Sequence, residues 1–183
     1  CVRCTDPVRP RRMGAFLRGR GVSRRIPGAA RALLAHPAGW IATGFGSGLA
    51  PVAPGTFGTL AALLPWLALR ELPLPHYLAA LALAFALGCW ACGWAMRRLG
   101  VEDPGLVVWD EFVGLWIALA AAPAGWPYAL AGFALFRFFD IAKPWPVGWV
   151  DRRLSGGLGT MLDDALAGLY ALAGVQLLAH FTG

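Results

Sequence analysis

Residues Tyr77–Met96 run without one side chain that is charged at neutral pH. As a helix such a run rises about 30 Å, the thickness of a bilayer's hydrocarbon core, and a chain that carries it has few soluble ways to bury it. Four more apolar stretches, about Thr56–Leu69, Leu106–Ala122, Tyr128–Phe139 and Ala165–Phe181, are set apart by short polar or Pro/Gly-rich joints. The expected fold is therefore all-α: a polytopic membrane helical bundle with about five membrane-embedded helices. Thr56–Leu69 and Tyr128–Phe139 are short for a perpendicular span, so each must tilt, borrow a neighbouring turn or thin the bilayer. Trp40–Gly48 reads as a partial or re-entrant segment. The competing fold is a soluble helical bundle with a large core. Composition weighs against it: 58% of residues are apolar and 14% charged, against roughly 45–50% and about 25% in soluble domains. The nine tryptophans suit a membrane–water interface.

Basic charge is concentrated at one end. Nine arginines lie between Arg3 and Arg31, whereas from Ala32 onward seven basic side chains face nine acidic ones. The division that follows is a basic, flexible tail over residues 1–31 and a single membrane-embedded domain over 32–183. The first methionine is Met13, and residues 1–12 are left out of the fold reading. A basic tail beside a membrane domain suits anionic lipid, and nothing else here resembles a nucleic-acid module, so no nucleic-acid partner is expected. Cys89 and Cys92 form a CxxC inside an apolar run and read as small packing residues rather than a redox pair.

The positive-inside rule orients the spans. With the tail in the cytoplasm, Arg97, Arg98, Arg137, Lys143, Arg152 and Arg153 all fall inside and only Arg70 is left outside. The same topology carries Asp103, Asp110, Glu111, Asp140, Asp151, Asp163 and Asp164 to the cytoplasmic helix ends, together with the glycine-rich run 44–58. Acids near membrane depth are costly, and by default they are functional candidates.

Asp110-Glu111 interrupts Leu106–Ala122. Neighbours on a helix point about 100° apart, so at most one of the two aims squarely at a given point; the alternative is an interfacial helix start with solvated carboxylates. In F-R-F-F-D-I-A-K-P, Arg137, Asp140 and Lys143 are three apart in turn and would share a helix face. That makes either a carboxylate with two phosphate-holding cations or a self-neutralising charge ladder. Thr160 and Asp163 fit a capping box before the last apolar run, which gives Asp163 a structural alternative that Asp164 lacks. Asp103-Pro104 resembles an N-cap with proline at the first helical position. Clustered carboxylates call for a hard cation, and Mg2+ with room for phosphate is the natural one. In the run Gly44–Thr59 the glycines let backbone N–H groups approach an anion at the start of a helix near Thr56, or serve helix packing.

Four motifs in order, G-F-G-S-G-L-A-P-V-A-P-G-T, V-V-W-D-E-F-V-G, F-R-F-F-D-I-A-K-P-W-P and D-R-R-L-S-G-G-L-G-T-M-L-D-D-A-L-A-G, resemble the bacterial phosphatidylglycerophosphatase A family, from about Trp40 to Phe181. The resemblance implies an all-helical, Mg2+-dependent phosphatase of the bacterial inner membrane, its active site on the cytoplasmic side. It would convert the phospholipid phosphatidylglycerophosphate to phosphatidylglycerol, the precursor of cardiolipin. The family's acidic positions carry over to Asp103, Asp110, Glu111, Asp140, Asp151, Asp163 and Asp164, and its basic and small polar ones to Ser47, Thr56, Arg137 and Lys143. In the reading that follows, Asp110, Glu111, Asp140 and Asp164 are catalytic. They hold metal together with Asp163, while Ser47, Thr56, Arg137 and Lys143 bind substrate. Attack by water is preferred to an aspartyl-phosphate, since no D-x-D-x-[TV] run is present. A CDP-alcohol phosphotransferase would need a D-G-x-x-A-R run, also absent. A cation carrier using the intramembrane acids would need access from both sides, whereas here the acids gather on one.

Overall fold

The computed structural model describes residues 28–182, so residues 1–27, most of the basic tail, lie outside the described residues. Within them every regular element is helical: α1 (Ala29–Leu34), α2 (Pro37–Ala42), a 3-10 turn (Ser47–Leu49), α3 (Pro54–Leu69), α4 (Leu74–Leu99), α5 (Trp109–Ala118), α6 (Trp126–Ala142), α7 (Val147–Arg153) and α8 (Gly156–Thr182). The punctuation comes from the Pro/Gly joints. Proline stands in the first turn of α2, α3, α4 and α6, where its missing N–H costs nothing. Gly100 closes α4 in the left-handed conformation, its N–H returning to the Met96 carbonyl.

Two helix starts differ from the sequence reading. α8 begins at Gly156, well before Ala165, so Thr160 and Asp163 lie inside the helix and form no capping box. Its early glycines serve close approach: a Cβ on Gly157 would strike the Cys89 carbonyl and the Gly93 backbone of α4. Asp103 is likewise no N-cap, because it sits in a loop at φ 47 and α5 starts six residues later. α5 itself covers only Trp109–Ala118 of the apolar stretch Leu106–Ala122.

α8 is the centre of the bundle, packed against α4, α5, α6 and α7. Its crossing with α5 is close enough that a Cβ on Gly168 would collide with the Gly114 carbonyl. α5 is pinned on its other sides by buried polar side chains. Trp109 Nε1 donates to the Ala84 carbonyl of α4 (3.0 Å), and Trp116 Nε1 donates to the Ala62 carbonyl of α3 (2.9 Å). Tyr77 donates its hydroxyl to the Trp116 carbonyl (2.6 Å). Phe112, Phe136, Leu115 and Met161 are fully buried around this junction.

α4 and α8 are long and apolar enough to cross a membrane, and α3 is a shorter apolar helix. Only 33% and 22% of the most apolar windows of α4 and α8 are buried in the protein, unlike the core helices of a soluble bundle. Large apolar side chains such as Leu60 and Leu64 of α3, Leu83 and Leu87 of α4, Leu130 and Phe138 of α6, and Leu177 and Phe181 of α8 face outward. The starts of α3, α5 and α8 and the end of α6 meet at one pole, where two cavities adjoin.

Candidate active site

The smaller cavity, about 190 Å³, is enclosed by the first turn of α3 (Pro54, Gly55, Thr56), the 103–108 loop, the start of α5 with Asp110 and Glu111, Arg137 of α6 and Asp164 of α8. Asp110 and Asp164 are both buried, and Asp164 Oδ2 has no hydrogen-bond partner. Asp110 Oδ1 accepts from the Glu111 backbone N–H (3.0 Å). Glu111 is held on two sides: Thr59 donates to Oε2 (2.8 Å), and Arg137 Nη1 lies 3.2 Å from Oε1. Gly55 makes room for it, because a Cβ there would overlap the Glu111 carboxylate. Arg137 Nη1 also lies 2.9 Å from Asp140 Oδ2. Among the described residues that line the cavity, Arg137 thus stands beside Asp103, Asp110, Glu111 and Asp164.

The larger cavity, about 340 Å³, shares Asp103 with the first and adds Glu102, Lys143, Asp151, Ser155, Thr160 and Asp163. Lys143 ends α6 in the left-handed conformation. Its Nζ bridges Asp151 Oδ1 (2.6 Å) and Asp163 Oδ2 (2.7 Å), so the lysine staples α7 to α8. Asp163 Oδ1 is buried and has no partner.

A family model described as phosphatidylglycerophosphatase A matches residues 40–179, a span that contains both cavities. A phosphatidylglycerophosphatase A of Escherichia coli (strain K12) is 41% identical over 151 residues, 82% of this chain and 88% of that protein. One from Haemophilus influenzae is 49% identical over 141 residues, 76% of this chain and 86% of that protein. The chain belongs to the phosphatidylglycerophosphatase A family. A Bacteroides thetaiotaomicron protein with a provisional phosphatidylinositol-3-phosphatase name is 47% identical over 139 residues, 72% of this chain and 86% of that protein. No solved structure matches.

The fold distributes the positions that the phosphatidylglycerophosphatase A resemblance singles out. Asp110, Glu111, Asp164, Arg137 and Thr56 line the smaller cavity. Both members of the Asp110-Glu111 pair line it, in the first turn of α5. Asp140 lines neither cavity; it is 1% exposed and sits behind Arg137. Lys143 does not join Arg137 and Asp140 on one face, because α6 stops at Ala142 and the chain turns. It belongs with Asp151 and Asp163 in the larger cavity. Ser47 lines neither cavity, and its hydroxyl donates to the Gly44 carbonyl (2.9 Å). Thr59 is the residue that sequence reasoning passed over. Its only signal was its place in the glycine-rich run, four residues after Gly55, whose carbonyl it also reaches (2.9 Å).

Among the described residues, no three His, Cys, Asp or Glu side chains form a ready-made cation cage. The donor set nevertheless fits Mg2+, which takes one or two carboxylates and fills the rest of its shell with water and phosphate oxygens. The partnerless Asp164 Oδ2, on the same cavity as Asp110, is the observation that supports this fit.

Proposed function

We propose that the smaller cavity is the phosphatase site, hydrolysing the terminal phosphomonoester of phosphatidylglycerophosphate to give phosphatidylglycerol and phosphate, with Mg2+ as cofactor. The observation that carries the reading is the partnerless, buried carboxylate oxygen of Asp164 in an acid-rich cavity walled by Arg137. Asp164 and Asp110, with Glu111 beside them, would hold the ion, whose contribution when bound is Lewis acidity toward the phosphoryl oxygens. Arg137 supplies charge-assisted hydrogen bonds to phosphate, and the N-terminal end of α3 at Gly55 and Thr56 presents its positive dipole end to the same anion. Asp140 acts through Arg137, fixing the guanidinium. In the reaction a water oxygen bonds to phosphorus as the P–O bond to glycerol breaks. A cavity carboxylate takes one proton from the water and passes it to the departing glycerol oxygen, so the alcohol leaves neutral and the carboxylate is regenerated.

The outward-facing leucines and phenylalanines support a membrane setting, with α4 and α8 as full spans and α3, α5 and α6 embedded beside them, about five in all. Arg97, Arg98, Arg152 and Arg153 lie at the helix ends near the carboxylates, which favours a cytoplasmic site in the bacterial inner membrane. Phosphate release by purified protein in mixed micelles tests the reading. Phosphatidylglycerophosphate should be cleaved with Mg2+ and not with EDTA. Preferential release from phosphatidylinositol 3-phosphate would reassign the substrate, and activity unaffected by EDTA would remove the metal.

A further inference from the structure

We propose that the lipid substrate reaches the smaller cavity sideways from the bilayer, through the seam between α3 and α6, with its acyl chains lying on Leu60 and Leu63 of α3 and on Phe133 and Leu130 of α6. This entrance rests on the reading of the smaller cavity as the phosphatase site. Four helices and the 103–108 loop enclose that cavity, the helices in the order α3, α5, α8, α6. Three of the seams between them are closed by direct packing. α3 is tied to α5 by the Trp116 bond to the Ala62 carbonyl and the Thr59 bond to Glu111. α5 meets α8 where a Cβ on Gly168 would strike the Gly114 carbonyl, and α8 meets α6 where Leu135 fills the space beside Gly174. The seam between α3 and α6 is the least packed of the ring.

Both sides of that seam are apolar, and both rows start at the cavity wall. Thr56, which lines the cavity, is followed at i+4, i+7 and i+11 by Leu60, Leu63 and Leu67, so the four share one face of α3. α6 runs the opposite way, and there Arg137 is preceded at i−4, i−7 and i−11 by Phe133, Leu130 and Trp126. That face of α6 is the one its other neighbours leave open: Phe136 packs on Gly114 of α5, Gly132 on Leu119, and Leu135 on Gly174 of α8. Leu60 and Phe133 lie about 6 Å, and Leu63 and Leu130 about 10 Å, along their helices from the cavity residues. Lipid tails are as apolar as leucine, so these rows alone hold no lipid in preference to another. The cavity at their head makes the choice, because a phosphate bound at Arg137 fixes one lipid there. The phosphodiester stays outside at headgroup level, the glycerol arm carries the terminal phosphate inward, and the chains run down the two rows.

The test uses the full chain in mixed micelles. Phosphatidylglycerol with a photoreactive diazirine midway along one acyl chain should label α3 around Leu63 and α6 around Leu130, as mapped by mass spectrometry of the peptides. Excess unlabelled phosphatidylglycerol should suppress that labelling, and excess phosphatidylcholine should not. Labelling concentrated in the apolar groove of Leu135, Gly174 and Leu178 between α6 and α8, or equal suppression by both lipids, overturns the proposal. A seam covered by a second copy of the chain takes no label, with the same result. A second arm plugs the seam. Leu60 and Leu130 are exposed, so Leu60→Trp and Leu130→Trp leave the core untouched. Each should lower the ratio of kcat/KM on dipalmitoyl phosphatidylglycerophosphate to kcat/KM on its deacylated, water-soluble counterpart by about 10-fold, because the deacylated molecule enters from the aqueous pole. A merely structural defect lowers both rates together and leaves the ratio unchanged, which contradicts the proposal. Leu177→Trp, in the α6–α8 groove, should keep the wild-type ratio; a fall there would move the entrance to that groove. If wild-type protein hydrolyses neither molecule, the phosphatase reading fails while the labelling pattern still decides the seam.

Discussion

Thr59 has one hydroxyl proton and two acceptors in reach, the Gly55 carbonyl at 2.9 Å and Glu111 Oε2 at 2.8 Å. A hydrogen bond to a charged group is worth about 1.5–3 kcal/mol, and losing a bond that orients a metal-site carboxylate typically costs about 10–100-fold. Thr59→Val should therefore lower kcat/KM by about 10–100-fold and raise the Mg2+ concentration for half-activity, with Thr59→Ser restoring both; a Mg2+ titration of turnover checks this. Arg137→Lys should be nearly as damaging as Arg137→Ala, because a lysine has one nitrogen, whereas the guanidinium holds Nη1 against both Glu111 and Asp140 and keeps further N–H donors for phosphate. Steady-state rates of the two variants, with thermal unfolding as control, measure it. Asp110, Glu111 and Asp164 were legible in the sequence, since acids in apolar surroundings need a reason to be there. Lys143 was misplaced because its spacing from Asp140 was read as continuing helix, and the chain turns at that residue instead. Thr59 was invisible for a different reason: its partner Glu111 is 52 positions away, and no local pattern records such a contact.

At the scale of elements, four of the five apolar stretches lie wholly in helices and Leu106–Ala122 is helical over Trp109–Ala118, because apolar length and the Pro/Gly joints are local signals. The start of α8 was not legible. Three glycines in Gly156–Gly159 read as a loop by propensity, yet packing against α4 holds them helical. That close packing recurs where α5 crosses α8. Gly168→Leu inserts a side chain where even a Cβ meets the Gly114 carbonyl, and overpacking of this kind costs about 1–3 kcal/mol or more. The variant should melt several degrees lower in detergent, and because α5 and α8 carry Asp110 and Asp164, its activity should fall at temperatures where the fold is intact. Unchanged melting would mean that the crossing is looser than described.

For the whole molecule, orientation and chemistry are linked, since both cavities open at the pole where α3, α5 and α8 begin. A single cysteine at Ser155, with the native cysteines replaced, should be protected from an impermeant thiol reagent in intact cells, and one at Ala124, in the joint before α6, should be labelled. The reverse pattern would put the carboxylates outside. The gathering of the acids toward one pole was readable from the alternation of the apolar stretches, whereas the division of the acidic cluster into two cavities was not, because Lys143 partitions it only in three dimensions. The central claim is that Asp164 and its neighbours make the smaller cavity a metal-assisted phosphatase site. Asp164→Asn keeps volume and removes charge, so its most direct test is phosphate release from phosphatidylglycerophosphate by wild type and this variant across a Mg2+ titration. The account predicts Mg2+-dependent release by the wild type and loss of nearly all turnover in a variant that still folds; near wild-type turnover with an unchanged Mg2+ requirement would contradict it.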